Sequence, residues 1–284
     1  MYDYTKIERL ERKKINAKER LANYNEIYEA YSDTTAKGQS SRCIQCGIPY
    51  CASSGCPLNN NIPHWLKFNA EGNDEKAFQI SNETSPFPEI LGKICPHNRL
   101  CEGACTLNDG HGAVTIGSIE VHINEKGFEN GLKPSFPKQL SDKKVAIIGS
   151  GPAGISCANF LLRAGIKPVI FEKADEPGGL LLYGIPEFKL EKKDVFRRIQ
   201  LLLEAGMELK LNTEVGKDIS FEELRNEHDA VFMGFGATEG RVLNHEGYNS
   251  EHVYMAVPFL TNIQKKRLGK DFDLKYNVHG KNVV

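Results

Sequence analysis

Cysteines are the residues of this sequence whose type and spacing most directly indicate chemistry. Seven of the eight cysteines lie between Cys43 and Cys105, and the remaining one is Cys157. Cytosolic proteins keep their thiols reduced, so cysteines concentrated in this way favour metal binding or catalysis over disulfide bonds. A disulfide-bonded secreted module is the weaker alternative.

The spacing of the cysteines favours iron–sulfur clusters. The two runs are Cys43-x2-Cys46-x4-Cys51-x4-Cys56-Pro57 and Cys95-Pro96-x4-Cys101-x3-Cys105. In two-cluster bacterial ferredoxins, the cysteine before a proline binds the other cluster. A similar crossing predicts one cluster on Cys43, Cys46, Cys51 and Cys105, and a second on Cys56, Cys95 and Cys101. Seven cysteines leave one of eight ligand positions open, and an oxygen ligand could fill it.

Zinc bound by four thiolates is the alternative interpretation of the same residues. The spacers of three and four residues are longer than the two-residue spacers typical of zinc sites, and an odd seventh cysteine leaves a second zinc site incomplete.

A glycine loop in the second half of the chain predicts a dinucleotide site. Gly149-Ser150-Gly151-Pro152-Ala153-Gly154 follows the apolar segment 144–148. Such glycines permit a tight turn, a close approach to pyrophosphate and close helix packing, and the helix N-terminus faces the negative charge. Glu172 ends the next apolar segment, where an acidic residue binds a ribose. The fingerprint does not distinguish flavin from nicotinamide, but the adjacent Gly178 and Gly179 suit a second, bulkier ligand portion.

The elements that must position these motifs differ between the two halves. Residues 6–31 are charged, lack glycine and proline, and predict one or two amphipathic helices. Short helices are predicted around 64–70, 75–80 and 119–128. Residues 131–143 contain two prolines and no periodicity, which is typical of a linker. We therefore predict domains at 1–138 and 139–284, the first of them mostly helical.

Strands and helices alternate in the second half, which predicts a Rossmann-like parallel sheet and an α/β fold class. The predicted strands are 144–148, 168–172, 207–211 and 230–234, and the predicted helices are 153–164, 191–205 and 220–226.

Charge and hydropathy exclude several classes of protein. There are 36 basic and 37 acidic residues, a net charge of −1, so no global field favours nucleic acid or anionic lipid. No apolar stretch approaches the ~18 residues of a membrane span. The first nine residues lack the apolar core of a secretory signal. We expect a cytoplasmic protein with no membrane partner.

Several segments together resemble the small subunit of bacterial NADPH-dependent glutamate synthase. They are Cys43–Cys56, Ile94–Cys105, Val114–Glu120, Gly178–Leu190 and Leu211–Gly216. The resemblance extends over nearly the whole chain, and related proteins include the N-terminal half of dihydropyrimidine dehydrogenase and flavin subunits of ferredoxin:NADP oxidoreductases.

The resemblance implies two [4Fe–4S] clusters and an FAD. Glu120 would complete the second cluster beside Cys56, Cys95 and Cys101, and so provides the missing eighth ligand. The implied FAD-binding residues are Gly149, Ser150, Gly151, Pro152, Ala153, Gly154, Glu172, Lys173, Gly178, Gly179, Leu180, Lys189, Val215 and Gly236.

The function implied by the resemblance is electron transfer. NADPH would reduce FAD, FAD would pass single electrons to the clusters, and these would supply the glutamate synthase large subunit. That partner would make L-glutamate from 2-oxoglutarate and L-glutamine, so we assign no catalytic acid, base or nucleophile to this chain. Because a second glycine loop binds NADPH in this family, we expect that site beyond residue 284 and an FAD domain that is incomplete at its C-terminus.

Two other functions stay open at this stage. A related oxidoreductase subunit of the ferredoxin:NADP oxidoreductase or dihydropyrimidine dehydrogenase type would use the same cofactors with another electron acceptor. A zinc-stabilised binding module would have no redox activity.

Overall fold

The structure is a computed structural model that describes residues 1–242 and 244–283. The chain forms two compact units. Met1–Phe136 and Glu187–Asp194 form the first, and Pro137–Pro186 and the residues from Val195 onward form the second. Residues 187–194 thus lie in the first unit, although the linear division places them in the second domain. The division at residues 138 and 139 itself stays a prediction.

Short helices joined by irregular segments build the first unit. They are α1 (Ala17–Ala22), α2 (Asp33–Ser41), α3 (Ile62–Glu71), α4 (Asp74–Thr84), α5 (Pro88–Ile94) and α6 (Ile116–Glu129). Side chains cap three of these helices: Asn16 accepts from Lys18 N–H before α1, the Ser32 hydroxyl from Thr35 N–H before α2, and Asn73 from Lys76 N–H before α4. The cysteines lie mainly in the connecting segments, where no helical ladder constrains the backbone.

The core of the first unit lies among α3, α4 and α6. Trp65, Phe78 and Ile119 are almost completely buried there, and the same cluster contains Cys43 and Cys101. Because two of the predicted ligands belong to the hydrophobic core, the surrounding helices fix the backbone that carries them.

The prediction of amphipathic helices over residues 6–31 is wrong. Only α1 forms, and Lys14 pairs with Tyr28 in an antiparallel bridge. The long side chains of this segment bond to backbone carbonyls instead. For example, Arg12 Nε donates to the carbonyl of Glu29 at 2.9 Å, and Arg20 Nε donates to that of Ile15 at 2.7 Å. After Leu10, the aliphatic residues Ile15, Leu21 and Ile27 recur at intervals of five and six residues, which do not keep to one helical face.

A parallel sheet of four strands in the order β3-β2-β1-β4 forms the centre of the second unit. Its elements are β1 (Lys144–Ile148), α7 (Pro152–Arg163), β2 (Lys167–Phe171), α8 (Leu180–Tyr183), α9 (Lys192–Glu204), β3 (Glu208–Lys210), α10 (Phe221–Glu227), β4 (Ala230–Met233) and α11 (Ala256–Arg267). The predicted α/β fold class is confirmed, and each strand and helix predicted after residue 143 is present within two residues of its expected ends.

The register of the sheet places the functional loops at one edge. Ile148 pairs with Phe171 on one side and with Met233 on the other, so three strands end together. The residues that follow these ends include the glycine loop and Glu172. This is the carboxyl edge at which open α/β sheets bind ligands. Among the described residues, no helix has both the length and the hydropathy to cross a bilayer.

Candidate cluster and dinucleotide sites

Four cysteines line one cavity in the first unit, and we call them the first thiol group. They are Cys43, Cys46, Cys51 and Cys105, and the cavity has a volume of about 360 Å³ including the part open to solvent. Cys43 follows the C-terminal cap of α2, and Cys51 begins a π-helical turn. Apolar side chains, among them Leu66 and Val114, form much of the remaining wall.

Two members of the first thiol group, Cys43 and Cys51, are buried enough to disfavour isolated thiolates. Burial is the main cause, and neighbouring thiols of the group a smaller one, of a pKa raised to about 11 for Cys43 and to about 12 for Cys51. Metal binding replaces the thiol protons and supplies the positive charge that these sulfurs otherwise lack. The donor set and its apolar surroundings therefore fit a thiolate-bound iron–sulfur cluster.

A second set of ligand-type residues, which we call the second ligand group, lies in the same unit. Its members are Cys56, Cys95, Cys101 and Glu120. Burial, together with the nearby Glu120 and Cys56, raises the pKa of Cys95 to about 11. Burial also raises the pKa of Cys101, which interacts electrostatically with the other three members. These electrostatic interactions indicate that the four side chains lie near one another.

Glu120 is held in a defined orientation on α6. Asn60 Nδ2 donates to Glu120 Oε1 at 2.8 Å, and Asn60 Oδ1 accepts from Trp65 Nε1 and Thr84 Oγ1, each at 3.2 Å. Burial raises the pKa of Glu120 to about 8, although the Asn60 hydrogen bond opposes the shift and the nearby Glu89 carboxylate adds to it. A cation at this carboxylate would remove the cost of burying its charge.

The seven clustered cysteines and Glu120 thus separate into the two predicted sets. Their binding to iron stays a prediction, and among the described residues no three His, Cys, Asp or Glu side chains surround a single-ion site. Sequence reasoning did not identify Asn60. The only signal for it was its position four residues after Cys56, in a run of three asparagines.

The glycine loop connects β1 to α7, and each glycine has a distinct environment. Gly149 has φ +96°, and a Cβ there would lie 2.8 Å from the carbonyl oxygen of Gly234. A Cβ at Gly154 would lie 2.0 Å from the carbonyl oxygen of Gly149, whereas a Cβ at Gly151 would meet nothing within 4 Å. Gly151 therefore borders open space beside the N-terminus of α7, where Pro152 is the first helical residue. This space suits a pyrophosphate.

Glu172 supports the loop directly. Its Oε2 accepts from the Ser150 N–H at 2.8 Å and from the Ser150 hydroxyl at 2.6 Å, while Oε1 accepts from the Ala174 N–H at 2.8 Å. Oε1 retains the capacity to accept a further hydrogen bond, as the predicted ribose contact requires.

Several other predicted cofactor residues converge on the loop. Gly178 N–H donates to the Ser150 hydroxyl at 3.1 Å, and a Cβ at Gly179 would lie 2.8 Å from the Cα of Gly151. Both glycines have positive φ angles, +121° and +50°. The segment that begins at Gly178 therefore lies against the glycine loop.

The structure gives fewer contacts with the glycine loop for the remaining predicted FAD-binding residues. Lys173 and Leu180 are exposed next to these segments, and Gly236 follows β4 with φ +66° and open space around it. Val215 follows Thr213, whose N–H donates to the carbonyl of Glu172 at 2.9 Å. Their contacts with FAD stay predictions.

Lys189 is exposed and lies in the segment that groups with the first unit. Its place beside the flavin also stays a prediction.

Two family models match segments of this chain. Residues 20–132 match the family described as dihydropyrimidine dehydrogenase domain II, 4Fe-4S cluster, and residues 147–184 match that of the NAD(P)-binding Rossmann-like domain. The chain is 46% identical over 270 residues to the glutamate synthase [NADPH] small chain of Escherichia coli (strain K12), covering 95% of this chain and 57% of that protein.

Two further relatives have similar sequence identities to this chain. The glutamate synthase [NADPH] small chain of Azospirillum brasilense is 43% identical over 274 residues, covering 94% of this chain and 57% of that protein. The putative oxidoreductase AegA of Escherichia coli (strain K12) is 40% identical over 257 residues, covering 90% of this chain and 39% of that protein. The resemblance to the glutamate synthase small subunit is confirmed, and the chain spans little more than half the length of these small chains.

Proposed function

We propose that this chain is the cluster-binding and FAD-binding part of an NADPH-dependent electron-transfer subunit of glutamate synthase. The observation that carries the proposal is the presence of two partly buried cysteine sets in one unit and a glycine loop supported by Glu172 in the other. When bound, FAD would accept a hydride from NADPH and release its electrons singly to the clusters.

The residues of the chain would bind these groups and control their surroundings. The first thiol group would hold one [4Fe–4S] cluster, and the apolar wall formed by Leu66 and Val114 would limit the access of water to it. The second ligand group would hold another, with Glu120 as the ligand that is not a cysteine. The loop around Gly151 would bind the pyrophosphate of FAD through the N-terminus of α7.

The partner and the remaining cofactor follow from the relatives. We infer that the glutamate synthase large subunit receives the electrons and makes L-glutamate from 2-oxoglutarate and L-glutamine. NADPH would be the hydride donor to the bound FAD, and the assembly would be cytoplasmic. The similarity to AegA supports one alternative, in which the same cofactors supply a different acceptor.

Metal and flavin analysis tests the proposal. Anaerobically reconstituted protein should contain about eight irons and eight acid-labile sulfides per chain, as two four-iron clusters require, together with one FAD. Stoichiometric zinc with little iron would support the non-redox alternative. Co-purification distinguishes the two possible electron acceptors. Recovery of the chain with the glutamate synthase large subunit would support the proposal, and recovery with a ferredoxin would support the alternative.

A pair of variants tests the assignment of ligands. Glu120→Ala should remove or convert one cluster and leave the cluster of the first thiol group, so iron should fall by up to half. Cys157→Ala is the matched control, because Cys157 lies on α7 outside both groups and should not change the iron content. Loss of both clusters, or of neither, in Glu120→Ala would contradict the assignment.

A further inference from the structure

Arg42 is a buried cation next to the first thiol group. It immediately precedes Cys43 and caps the C-terminus of α2, and none of its surface is exposed. Its guanidinium donates to the carbonyls of Ile7 at 2.9 Å and Ala113 at 3.0 Å. It also donates to the carbonyls of His111 at 2.6 Å and Gly112 at 2.9 Å.

These four hydrogen bonds engage all three nitrogens of the Arg42 guanidinium but do not neutralise its charge. Every acceptor is a backbone carbonyl, and the nearby Glu102 carboxylate is paired with Arg9 at 2.7 Å. Within the described part of the chain, the charged or ionisable groups that act on Arg42 are Arg9, which is also a cation, and Cys105. Burying a charge without a counter-ion costs free energy. A negative charge near the Arg42 guanidinium would offset that cost.

The first thiol group is where that negative charge would arise. Cys105 belongs to it, Cys43 is the next residue in the chain, and the carbonyls that Arg42 binds lead directly to Val114 in the cavity wall. A four-iron cluster held by four thiolates carries net negative charge, and the low dielectric of the core strengthens its interaction with a buried cation.

We propose that Arg42 is the fixed counter-charge of the first thiol group and that it raises the reduction potential of the cluster bound there. The inference depends on the proposed function, because it requires a cluster at that group. One-electron reduction adds one negative charge to the cluster and moves no proton or bond in the protein. A fixed cation therefore stabilises the reduced state more than the oxidised state.

A redox titration followed by electron paramagnetic resonance tests the proposal in the reconstituted chain, with dithionite as the reductant. Arg42→Gln, which removes the charge, should lower the equilibrium constant for reduction of the first cluster at least tenfold, a shift of about 59 mV for one electron. Arg42→Lys, which keeps the charge and changes the donor geometry, should stay within threefold of the unmodified protein. The second cluster is an internal control and should also stay within threefold.

Arg99→Gln is the matched surface control. Arg99 is exposed in a short 3-10 turn of the same unit, so solvent should screen its charge and neither potential should change more than twofold. An unchanged first potential in Arg42→Gln would overturn the proposal. So would an equal fall in Arg42→Lys, because the guanidinium would then act through geometry.

If Arg42→Gln does not retain the first cluster, Arg42→Lys decides the question. A preserved potential in Arg42→Lys supports the counter-charge, and loss of the cluster from both variants overturns it in favour of a purely structural role. Absence of iron from the unmodified chain would instead refute the proposed function.

Discussion

At the scale of single residues, the polar groups around Glu120 explain how its carboxylate is held in a fixed orientation next to the cysteines of the second ligand group. The resemblance identified Glu120 as a ligand candidate, but sequence spacing could not identify Asn60, since the two residues are 60 positions apart. Asn60 engages Oε1, and this orients the carboxylate before any metal binds. Contacts of this kind depend on tertiary packing, which a single sequence does not reveal.

Asn60→Leu should disorder the second ligand group. The variant removes the hydrogen bond to Glu120 and leaves Trp65 Nε1 without an acceptor, at a cost of roughly 1.5–3 kcal/mol for the bond to the charged group. Electron paramagnetic resonance should show a changed or missing second cluster and an unchanged first one. Thr84→Val, which removes one of the two donors to Asn60 Oδ1 and leaves the bond to Glu120, should have a smaller effect. Identical spectra for Asn60→Leu and the unmodified protein would mean that Asn60 does not orient Glu120.

Glu172 has two roles that mutation can separate. Glu172→Ala removes the acceptor of the Ser150 N–H and hydroxyl as well as the predicted ribose contact, so the dissociation constant of FAD should rise roughly 10- to 150-fold. Ser150→Ala removes the hydroxyl contacts with Glu172 and with the Gly178 N–H but keeps the predicted ribose contact, so it should weaken binding less. Fluorescence titration with FAD measures both effects. A larger loss in Ser150→Ala than in Glu172→Ala would contradict the assignment of Glu172 as the main support.

At the scale of elements, the glycine loop offers a test that distinguishes folding from ligand binding. Gly151→Ala adds a methyl group in open space and should leave the melting temperature of the flavin-free chain unchanged while it weakens FAD binding. Gly154→Ala places a Cβ 2.0 Å from the Gly149 carbonyl oxygen and should destabilise the second unit even without FAD. Calorimetry with and without FAD gives both readouts. Tight FAD binding by Gly151→Ala would show that the loop does not contact the pyrophosphate.

The segment after Glu172 contains an acid-sensitive contact. Asp175 accepts from Tyr183 Oη at 2.5 Å and from Lys270 Nζ at 2.9 Å. Partial burial acts against ionisation, but these hydrogen bonds hold the pKa of Asp175 below its usual value. A lowered pKa stabilises the fold above the unfolded value of about 4, and this contribution is lost as pH falls through the folded pKa.

Asp175→Asn should therefore reduce the dependence of the unfolding free energy on pH in the acid range. Between pH 6 and pH 3, the unmodified chain should lose more unfolding free energy than the variant, by at most about 1 kcal/mol because the contact is partly exposed. Urea unfolding at a series of pH values measures the difference, and Glu176→Gln is a control at the adjacent Lys270 contact. Parallel profiles for Asp175→Asn and the unmodified chain would exclude the contribution.

The helices and strands also show which sequence patterns predicted local structure correctly. The strands β1 and β2 are short apolar runs buried in a parallel sheet, and the motif between them requires a strand before it and a helix after it, so their ends could be predicted closely. The segment 6–31 has charge and irregular apolar spacing, and its conformation depends on distant carbonyls such as that of Glu29, which Arg12 contacts. Local periodicity could not predict those tertiary contacts.

At the scale of the whole molecule, the two units should respond differently to the loss of iron. The ligands of both cysteine sets come from segments far apart in the sequence of the first unit, so cluster binding should stabilise that unit by linkage. The glycine loop and its sheet belong to the second unit and contain none of the predicted ligands. Removal of iron should therefore lower the stability of the first unit selectively.

The single tryptophan makes this prediction measurable. Trp65 is completely buried in the first unit, so the wavelength of its emission reports unfolding there, while release of FAD reports on the second unit. Oxidative extraction of iron with a chelator should lower the Trp65 midpoint by about 10 °C or more, with little change in the midpoint of FAD release. Gly151→Val should show the reverse pattern, since it weakens FAD binding and leaves the cysteines intact. If extraction of iron left the Trp65 midpoint unchanged, the clusters would not stabilise the first unit; an equal shift of both midpoints would mean that the two units unfold together.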